Sequence, residues 1–318
     1  MPSNGYSFRI GADENGLGPR LGPMLTTAVL AQMGEGGHKT VERPARGKMK
    51  KRLGDSKALM AHGDIALGEA WSRILASRAL ARPPVSVAEV VQALSLDDET
   101  NLREHCPSHV AGQCWGSHKD GFIADDSLLA LVEKDLQTLA KKGVHIVSAR
   151  SVIVCTLRLN HGVDRGLSRF ALDLHAMERL VLSLRETAGQ DVCAVLGKVG
   201  GLRQYEPAFG PLNGRLCTVL EERKERSSYR FPGVGELSFV MDADASDLLV
   251  SMASLVGKYL REVLMARIVN HYSQTDSSLP DASGYHDPIT AQFIDATKLT
   301  RKRQKVPDDC FERRRLGP

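Results

Sequence analysis

The sequence predicts a mixed α/β fold in which one five-stranded sheet is flanked by helices. Two kinds of pattern along the 318 residues support this prediction. Five short runs are rich in β-branched and other apolar residues, as strands are. Segments with the apolar spacing of amphipathic helices lie between the later runs. Strands and helices that alternate in this way are typical of one sheet with helices packed against it.

The five predicted strands begin near residues 7, 24, 146, 192 and 237. The first run, Phe8 to Ala12, and the second, Met24 to Leu30, are joined by a bend that is rich in glycine and proline. His145 to Leu157 has the strongest strand pattern. Val192 to Leu196 and Leu237 to Met241 have the short, continuous apolar pattern of buried strands.

The predicted helices follow from apolar residues at helical spacing. They are Leu67 to Leu80, Val85 to Leu94, Asp125 to Lys142, Leu167 to Leu184, and a long helix that ends at Val269 and that we expect Ser246 to cap. Arg82-Pro83-Pro84 indicates a linker. Residues 97–121 are polar and have no clear period, so we expect an irregular segment there.

Composition excludes several classes of protein. No run of 18 apolar residues is present, which excludes a membrane-spanning helix. Asp13 and Glu14 interrupt the only apolar stretch among the first 30 residues, which excludes a secretory signal. Six scattered cysteines in a chain of this size indicate free thiols in a reducing compartment. We therefore expect a cytoplasmic protein.

The formal net charge is only +4, but basic residues are concentrated in two segments. Residues 39–57 contain eight Lys or Arg against two acids, and residues 298–315 contain eight against three. Such clusters in an otherwise balanced chain favour a polyanionic partner. The alternative is a pair of solvated loops.

Two adjacent carboxylates, Asp13 and Glu14, lie at the end of the first predicted strand and are followed by the turn Gly16-Leu17-Gly18. Successive strand side chains point to opposite faces, but a sharp turn allows both acids to reach one ligand. Paired carboxylates beside such a turn suit a divalent cation, although a solvated strand end is the alternative. Pro19 and Pro23 exclude a nucleotide-binding loop, because that loop must open a helix.

A second group of acids, Asp242, Asp244 and Asp247, follows the last predicted strand. Asp242 and Asp244 share a face if the strand continues, whereas Asp247 is explained as a residue of the first helical turn. Asp244 lies at a predicted strand end, as Asp13 does. Acids that are remote in sequence but lie at neighbouring sheet ends can share metal ions.

These motifs resemble those of the type 2 ribonucleases H (ribonuclease HII), in the same order and over nearly the whole chain. The matching residues are Asp13-Glu14-Asn15-Gly16-Leu17-Gly18 with Gly22-Pro23, Asp55-Ser56-Lys57, Ala243-Asp244-Ala245, Ser251 to Lys258, and Ser283-Gly284-Tyr285. The resemblance implies a ribonuclease H-like sheet and a monomeric endonuclease. Its substrate would be the RNA strand of RNA–DNA hybrids, or duplex DNA that contains ribonucleotides.

The resemblance also implies site residues and cofactors. Two Mg²⁺ or Mn²⁺ ions would be held by catalytic carboxylates, of which Asp13, Glu14 and Asp244 match directly. The implied substrate contacts are Gly16, Leu17, Gly18, Ser56, Lys57, Lys258 and Tyr285. Gly16, Gly18 and Tyr285 would recognise the ribose, whose 2′-hydroxyl distinguishes RNA from DNA. Lys258 is either a phosphate contact or a solvated lysine.

The expected domain spans residues 5–270, with an insertion at about 82–125. A basic segment, residues 271–318, would close over the substrate groove. Two departures from the family pattern stand out: Gly197 occupies the position of the fourth carboxylate, and Leu17 replaces an arginine. Asp242 is a possible source of the missing oxygen. The alternative function is therefore a catalytically impaired protein that binds hybrids or other nucleic acids.

One further cluster of potential ligands lies in the irregular segment. Its members are His105, Cys106, His109 and Cys114. Two histidines and two cysteines can form a tetrahedral zinc site, but their spacing fits no common zinc finger. Ordinary loop residues are the alternative.

Overall fold

The structure is a computed structural model that describes residues 5–200 and 202–314, and it contains a seven-stranded mixed sheet. The strands are β1 (Phe8–Asn15), β2 (Met24–Met33), β3 (Val144–Val154), β4 (Val192–Gly197), β5 (Thr218–Glu222), β6 (Arg226–Phe231) and β7 (Gly235–Val240). Their order across the sheet is β3-β2-β1-β4-β7-β6-β5. β1 pairs antiparallel with β2 and parallel with β4, and β4 pairs parallel with β7. The carboxyl ends of β1, β4 and β7 therefore lie at one edge.

The prediction of a mixed sheet is confirmed, but the predicted number of five strands is wrong. All five predicted strands are present, and β5 and β6 form an additional antiparallel hairpin beside β7. These two strands carry many charged and hydroxyl side chains, and most of β5 is exposed at the sheet edge. Edge strands tolerate polar residues, so they lack the apolar pattern that identifies buried strands.

The helices lie on both faces of the sheet. They are α1 (Gly37–Val41), α2 (Ser56–Leu59), α3 (Ala66–Leu80), α4 (Val87–Leu94), α5 (Glu99–Arg103), α6 (Ala111–Trp115), α7 (Asp126–Ala140), α8 (Thr156–Asp164), α9 (Arg169–Ala188), α10 (Ala243–Ser246), α11 (Leu248–Ser273), α12 (Pro288–Arg303) and α13 (Asp308–Phe311), with 3-10 turns at Gly47–Lys51, Ser108–Val110 and Glu206–Ala208. The segment that was expected to be irregular thus contains α5 and α6.

Two hydrophobic cores hold the layers together. Helix α11, with α3, α4 and α7, packs on one face of the sheet, and α9 packs on the other. Because α11 lies beneath other helices, it is apolar around most of its circumference.

The N-cap of α11 is Asp247, so the expectation that Ser246 caps this helix is wrong. The Asp247 carboxylate accepts hydrogen bonds from the backbone N–H groups of Leu249 (2.9 Å) and Val250 (3.2 Å). It also pairs with the buried guanidinium of Arg9 at 2.7 Å. The interpretation of Asp247 as a residue of the helix start is therefore confirmed.

The C-terminal segment packs on the far end of α11. Phe293 on α12 and Phe311 on α13 surround the buried ring of Tyr272. Beyond α12, the Gln304 side chain contacts His271. Within residues 5–200 and 202–314, no helix is long and apolar enough to cross a membrane.

Candidate active site

A cleft of about 700 Å³ opens at the sheet edge where β1, β4 and β7 end. It is lined by all the residues that the sequence predicted for catalysis, cation binding or substrate contact: Asp13, Glu14, Gly16, Leu17, Gly18, Ser56, Lys57, Asp242, Asp244, Lys258 and Tyr285. These residues come from five separate parts of the chain. The fold brings them together, and their individual roles stay predictions.

Asp13 and Glu14 leave β1 on opposite faces. The side of β1 that carries Gly11 and Asp13 faces α11, since Gly11 lies against Leu249. The side that carries Ala12 and Glu14 faces α9, since Ala12 belongs to the core on that face. Both acids lie at the strand end and line the cleft, so the sheet alternation does not separate their carboxylates from one ligand.

Asp173 on α9 is an additional carboxylate that the sequence analysis missed. It is completely buried, and its Oδ1 accepts a hydrogen bond from the Thr26 hydroxyl at 2.9 Å. Thr26 is the cross-strand partner of Glu14. The second oxygen of Asp173 is buried and has no hydrogen-bond partner among the described residues. Its signal in the sequence is a carboxylate between Phe170 and Met177, in the middle of an apolar helix stripe.

Burial, together with neighbouring negative charge, raises the pKa values of Asp13, Glu14 and Asp173. Burial raises the pKa of Asp13 well above its usual range, and the negative charge of Glu14 adds to this effect. Burial and the charge of Asp173 raise the pKa of Glu14 to about 8. Burial also raises the pKa of Asp173 to about 7, although the Thr26 hydrogen bond opposes this change. The protein alone therefore leaves negative charge in this part of the cleft insufficiently neutralised.

Asp242 and Asp244 are not on one continued strand, as the sequence had suggested. β7 ends at Val240, Asp242 has a left-handed backbone (φ 50°), and Asp244 lies in the short helix α10. Asp242 is exposed, whereas Asp244 is half-buried. Burial and the nearby charge of Asp55 raise the pKa of Asp244. Asp244 thus joins the other carboxylates whose pKa is raised, and Asp242 lies at the exposed rim.

Gly197 is the last residue of β4 and lies beside Asp13. A Cβ atom at Gly197 would be 2.7 Å from Oδ1 of Asp13, and the Gly197 backbone is not in the left-handed region. A carboxylate at this position would thus project toward Asp13, which would have to move to accommodate it. The absence of an acid at Gly197 leaves a gap in the donor set, but it does not reflect a backbone requirement for glycine.

The glycine turn is held by two arginines from distant parts of the chain. Gly16 has φ 85°, and a Cβ there would lie 2.7 Å from Nε of Arg261. The buried guanidinium of Arg313 donates to the carbonyl oxygens of Gly16 (2.6 Å) and Gly22 (2.9 Å). Both the positive φ and the close approach of Arg261 require glycine at position 16. Neither arginine was singled out as a site residue by the sequence analysis.

Lys258 is anchored within the protein. Its ammonium group donates to the carbonyl oxygens of Ser56 (3.0 Å) and Met60. The hydroxyl of Ser56 is bonded to that of Ser254 at 2.9 Å, and Ser254 is also a hydrogen-bond partner of Asp13. Lysine has three N–H donors, so a phosphate contact remains open to it, but it is not a freely solvated side chain.

Tyr285 is half-exposed and lines the cleft. Its ring lies over the Arg261 guanidinium, 4.5 Å from the ring centroid to Cζ. Arg261 also donates to the carbonyl oxygen of Ser283 and to Glu262, each at 3.0 Å. The contact with Arg261 thus holds the tyrosine close to the glycine turn, which Arg261 also approaches, and part of the ring stays exposed.

The four potential zinc ligands are not brought together. His109 is bonded to the carbonyl oxygen of Lys305 at 3.1 Å, and the His105 ring packs edge-on against His161. Cys106 and Cys114 contact their own neighbours in sequence. In the described part of the chain no three His, Cys, Asp or Glu side chains are arranged to hold a metal ion as they stand. His105 and Cys106 lie between helices, whereas His109 belongs to the 3-10 turn Ser108–Val110 and Cys114 to α6.

In the cleft, too, the described carboxylates are not arranged to hold a metal ion as they stand, so a bound cation would have to draw them together. The chemistry of the donors nevertheless fits a hard divalent cation: all are oxygens, and burial together with nearby negative charges raises their pKa values. The unpartnered oxygens of Asp173 and Asn15 show that the surrounding polar groups are also incompletely satisfied. A bound cation would relieve this excess of negative charge.

No family model matches the sequence, and no curated protein matches it. Among solved structures, Bst-RNase HIII in complex with Mn²⁺ matches with a TM-score of 0.44 and 10% identity over 96% of this chain, which spans 65% of that protein. The RNase HII in the PCNA:RNase HII complex from Archaeoglobus fulgidus matches with a TM-score of 0.39 and 14% identity, over 98% of this chain and 96% of that one. Ribonuclease H2 from Pyrococcus horikoshii OT3 matches with a TM-score of 0.39 and 13% identity, over 96% and 92%.

The chain is similar to type 2 ribonucleases H. The similarity extends over nearly its whole length, but both the identities and the TM-scores are low. A likeness at this level says nothing about activity. The chemistry of the cleft therefore has to be judged from the residues that line it.

Proposed function

We propose that this protein is a metal-dependent endonuclease that hydrolyses the RNA strand of RNA–DNA hybrids. The observation that carries the proposal is the composition of one cleft. It combines several carboxylates, among them Asp13, Glu14 and Asp244, with a glycine turn, three lysines and a half-exposed tyrosine. Carboxylates provide cation ligands, and the other groups are suited to a sugar–phosphate strand.

Asp13, Glu14 and Asp244 are the residues that would hold Mg²⁺ or Mn²⁺. Divalent cations, when bound, supply activation of water and stabilisation of charge at a phosphodiester. These three residues offer only oxygen donors, and their pKa values are raised, which supports the assignment. Asp173 does not line the cleft, and its charge would keep the pKa of Glu14 raised until a cation binds.

The remaining cleft residues would position the substrate. Gly16 and Gly18 present backbone groups without side chains, which allows a ribose to approach closely. Tyr285, whose ring lies over Arg261 beside this turn, would contact the sugar whose 2′-hydroxyl marks RNA. Lys57 and Lys258 add positive charge for the adjoining phosphates. A duplex that contains a single ribonucleotide would offer the same sugar and is the second expected substrate.

Gly197 favours one alternative, a hybrid-binding protein with impaired turnover. A fourth carboxylate is absent beside Asp13, and loss of one ligand weakens cation binding and misplaces the attacking water. Exposed Asp242 lines the same cleft and is the residue that would compensate. The two functions differ in turnover and agree in the nucleic acid that is bound.

The proposal is tested with a labelled RNA–DNA hybrid and with a duplex that contains one ribonucleotide, each in Mg²⁺ and in Mn²⁺. We expect cleavage by the wild type and a decrease on the order of 10²–10⁴-fold in Asp13→Asn, as for other residues that act in the transition state. The matched control is Asp126→Asn, an exposed acid on α7 outside the cleft. Cleavage by Asp13→Asn at the wild-type rate would show that the site is wrong.

Gly197→Asp distinguishes the two functions. Since the Gly197 backbone is not left-handed, aspartate requires only that the Asp13 carboxylate moves. We expect this variant to cleave faster, or to need less cation, in titrations with Mg²⁺ and Mn²⁺ that are accompanied by thermal melts. Should it fold normally without gain while Asp242→Asn loses activity, Asp242 is the substitute ligand. Binding of the hybrid without cleavage in either metal would support the binding protein.

A further inference from the structure

A second concavity, about 470 Å³ in volume, lies outside the cleft and is strongly basic. It is formed by α1, the 3-10 turn Gly47–Lys51, α7 and the first residue of α11. Six exposed cations line it, and we refer to them together as the basic groove: Lys39, Arg43, Arg46, Lys48, Lys134 and Lys142. Nothing in the proposed catalytic mechanism uses these residues.

The positive charge of the basic groove is not neutralised by the protein. Across residues 5–200 and 202–314, none of the six cations forms an ion pair; the one arginine at the base of the concavity, Arg52, is held by Asp135 at 2.6 and 2.9 Å. Lys134 and Lys142 come from a part of the sequence about 90 residues beyond the other four. The fold thus brings together like charges that repel each other unless an anion lies between them.

The basic groove is close to the cleft along the chain. Three residues lie between Arg52, at the base of the concavity, and Ser56, which lines the cleft. The four residue steps from Arg52 to Ser56 span at most about 14 Å when fully extended. Because a duplex rises about 3.4 Å per base pair, Arg52 lies within about four base pairs of Ser56.

The basic end of α12 is much farther from the catalytic acids. Ser254, which contacts Asp13, and His271, which contacts the residue after α12, are separated by 17 residues of α11. At about 1.5 Å per residue this separation is about 26 Å along the helix. The basic end of α12 thus lies farther from the catalytic acids than the near end of the concavity does, although the buried guanidinium of Arg313, in the same basic segment, reaches the glycine turn of the cleft.

We propose that the basic groove binds backbone phosphates of the same nucleic acid whose scissile strand occupies the cleft, a few base pairs from the cut. This inference rests on the proposed function. Its ligand is a phosphodiester, because several separate, unpaired cations along one concavity match a row of phosphates. The groove adds affinity and register without reading sequence.

The test is the salt dependence of hybrid binding, measured by fluorescence anisotropy in a chelator so that no cleavage occurs. The groove variant is Arg43→Ala/Arg46→Ala/Lys48→Ala. The matched control is Lys298→Ala/Lys302→Ala/Arg303→Ala, which removes the same charge from exposed positions on α12. The slope of log affinity against log salt should become shallower by roughly 0.7–0.9 for each phosphate that is no longer neutralised, in the groove variant only. Thermal melts of both variants verify folding.

An unchanged slope in the groove variant overturns the inference, as does an equal change in both variants. A wild type that binds neither the hybrid nor the ribonucleotide-containing duplex refutes the proposed function. Calorimetric titration with inorganic phosphate separates the two failures. Phosphate binding that is abolished in the groove variant and kept in the control, without any binding of duplex, would make the groove a site for a small phosphate ligand and overturn the assignment to backbone phosphates.

Discussion

The two basic segments have similar compositions, yet the fold uses them differently. Each contains eight Lys or Arg in the sequence. In the first segment, four exposed cations meet Lys134 and Lys142 around a concavity and form no ion pair with any described residue. In the second, three of the four arginines that the structure describes are engaged within the protein, and the fourth, Arg303, is exposed. The engaged ones are Arg301 over a ring, Arg313 by carbonyl oxygens and Arg314 by acids.

The difference teaches that a count of charges does not identify a binding surface. The neighbours of each charge decide whether it is available to a partner. An arginine that donates hydrogen bonds to backbone carbonyl oxygens of the same protein stabilises the fold. An arginine without a partner adds positive charge to the surface. Arg313 and Arg314 therefore add no unpaired positive charge to the second basic segment, and Arg315 lies outside the described residues.

The largest expected effect concerns Arg313, the most deeply engaged of these arginines. Arg313→Met should lower the free energy of unfolding by about 2–4 kcal/mol, because it leaves the carbonyl oxygens of Gly16 and Gly22 without a donor. Arg313→Lys should not restore stability, since one ammonium cannot reproduce the planar fork that reaches both oxygens. Urea unfolding measures both values. If Arg313→Met were as stable as the wild type, the hydrogen bonds of Arg313 would contribute nothing to the stability of the fold.

Features of the fold and of the candidate site could be predicted from the sequence where the residues that form them are adjacent or regularly spaced along the chain. The five buried strands have continuous apolar runs, and Asp13 and Glu14 are adjacent, so both were found. The hairpin of β5 and β6 was missed because its edge position permits charged residues. Asp173 was missed because its contact with the cleft crosses from α9 to β2, and only the fold brings Thr26 to it.

The second prediction concerns the cleft, the other region in which like charges accumulate unpaired. The pKa of Glu14 is raised to about 8 in the folded protein, above its usual value. The folded state then binds more protons than the unfolded state between about pH 4.5 and 8, so this group lowers stability as pH rises through that range. Without divalent cations, thermal melts should show this decrease, and Glu14→Gln should reduce it.

Divalent cations sharpen that prediction. Because Mn²⁺ would bind the ionised carboxylates, it should raise the melting temperature of the wild type more at pH 8 than at pH 6. The matched control is Glu178→Gln on α9. Burial raises the pKa of Glu178 to about 7, but its carboxylate accepts from the N–H groups of Gly210 and Leu212, away from the cleft. The control should keep the Mn²⁺ response, and loss of that response in both variants would contradict a cation site at Glu14.

The smallest expected effect concerns Arg314, which follows Arg313 in the sequence but is exposed, whereas Arg313 is buried. Its guanidinium pairs with Asp309 at 2.7 Å and with Asp164, and it is exposed. Exposed ion pairs contribute at most about 1 kcal/mol because water and salt screen them and the side chains lose entropy. Arg314→Met should therefore change the free energy of unfolding by about 0.5 kcal/mol or less in urea titrations. A loss as large as that of Arg313→Met would mean that the exposed pair at the end of the chain, and not the buried guanidinium beside the glycine turn, holds the C-terminal segment in place.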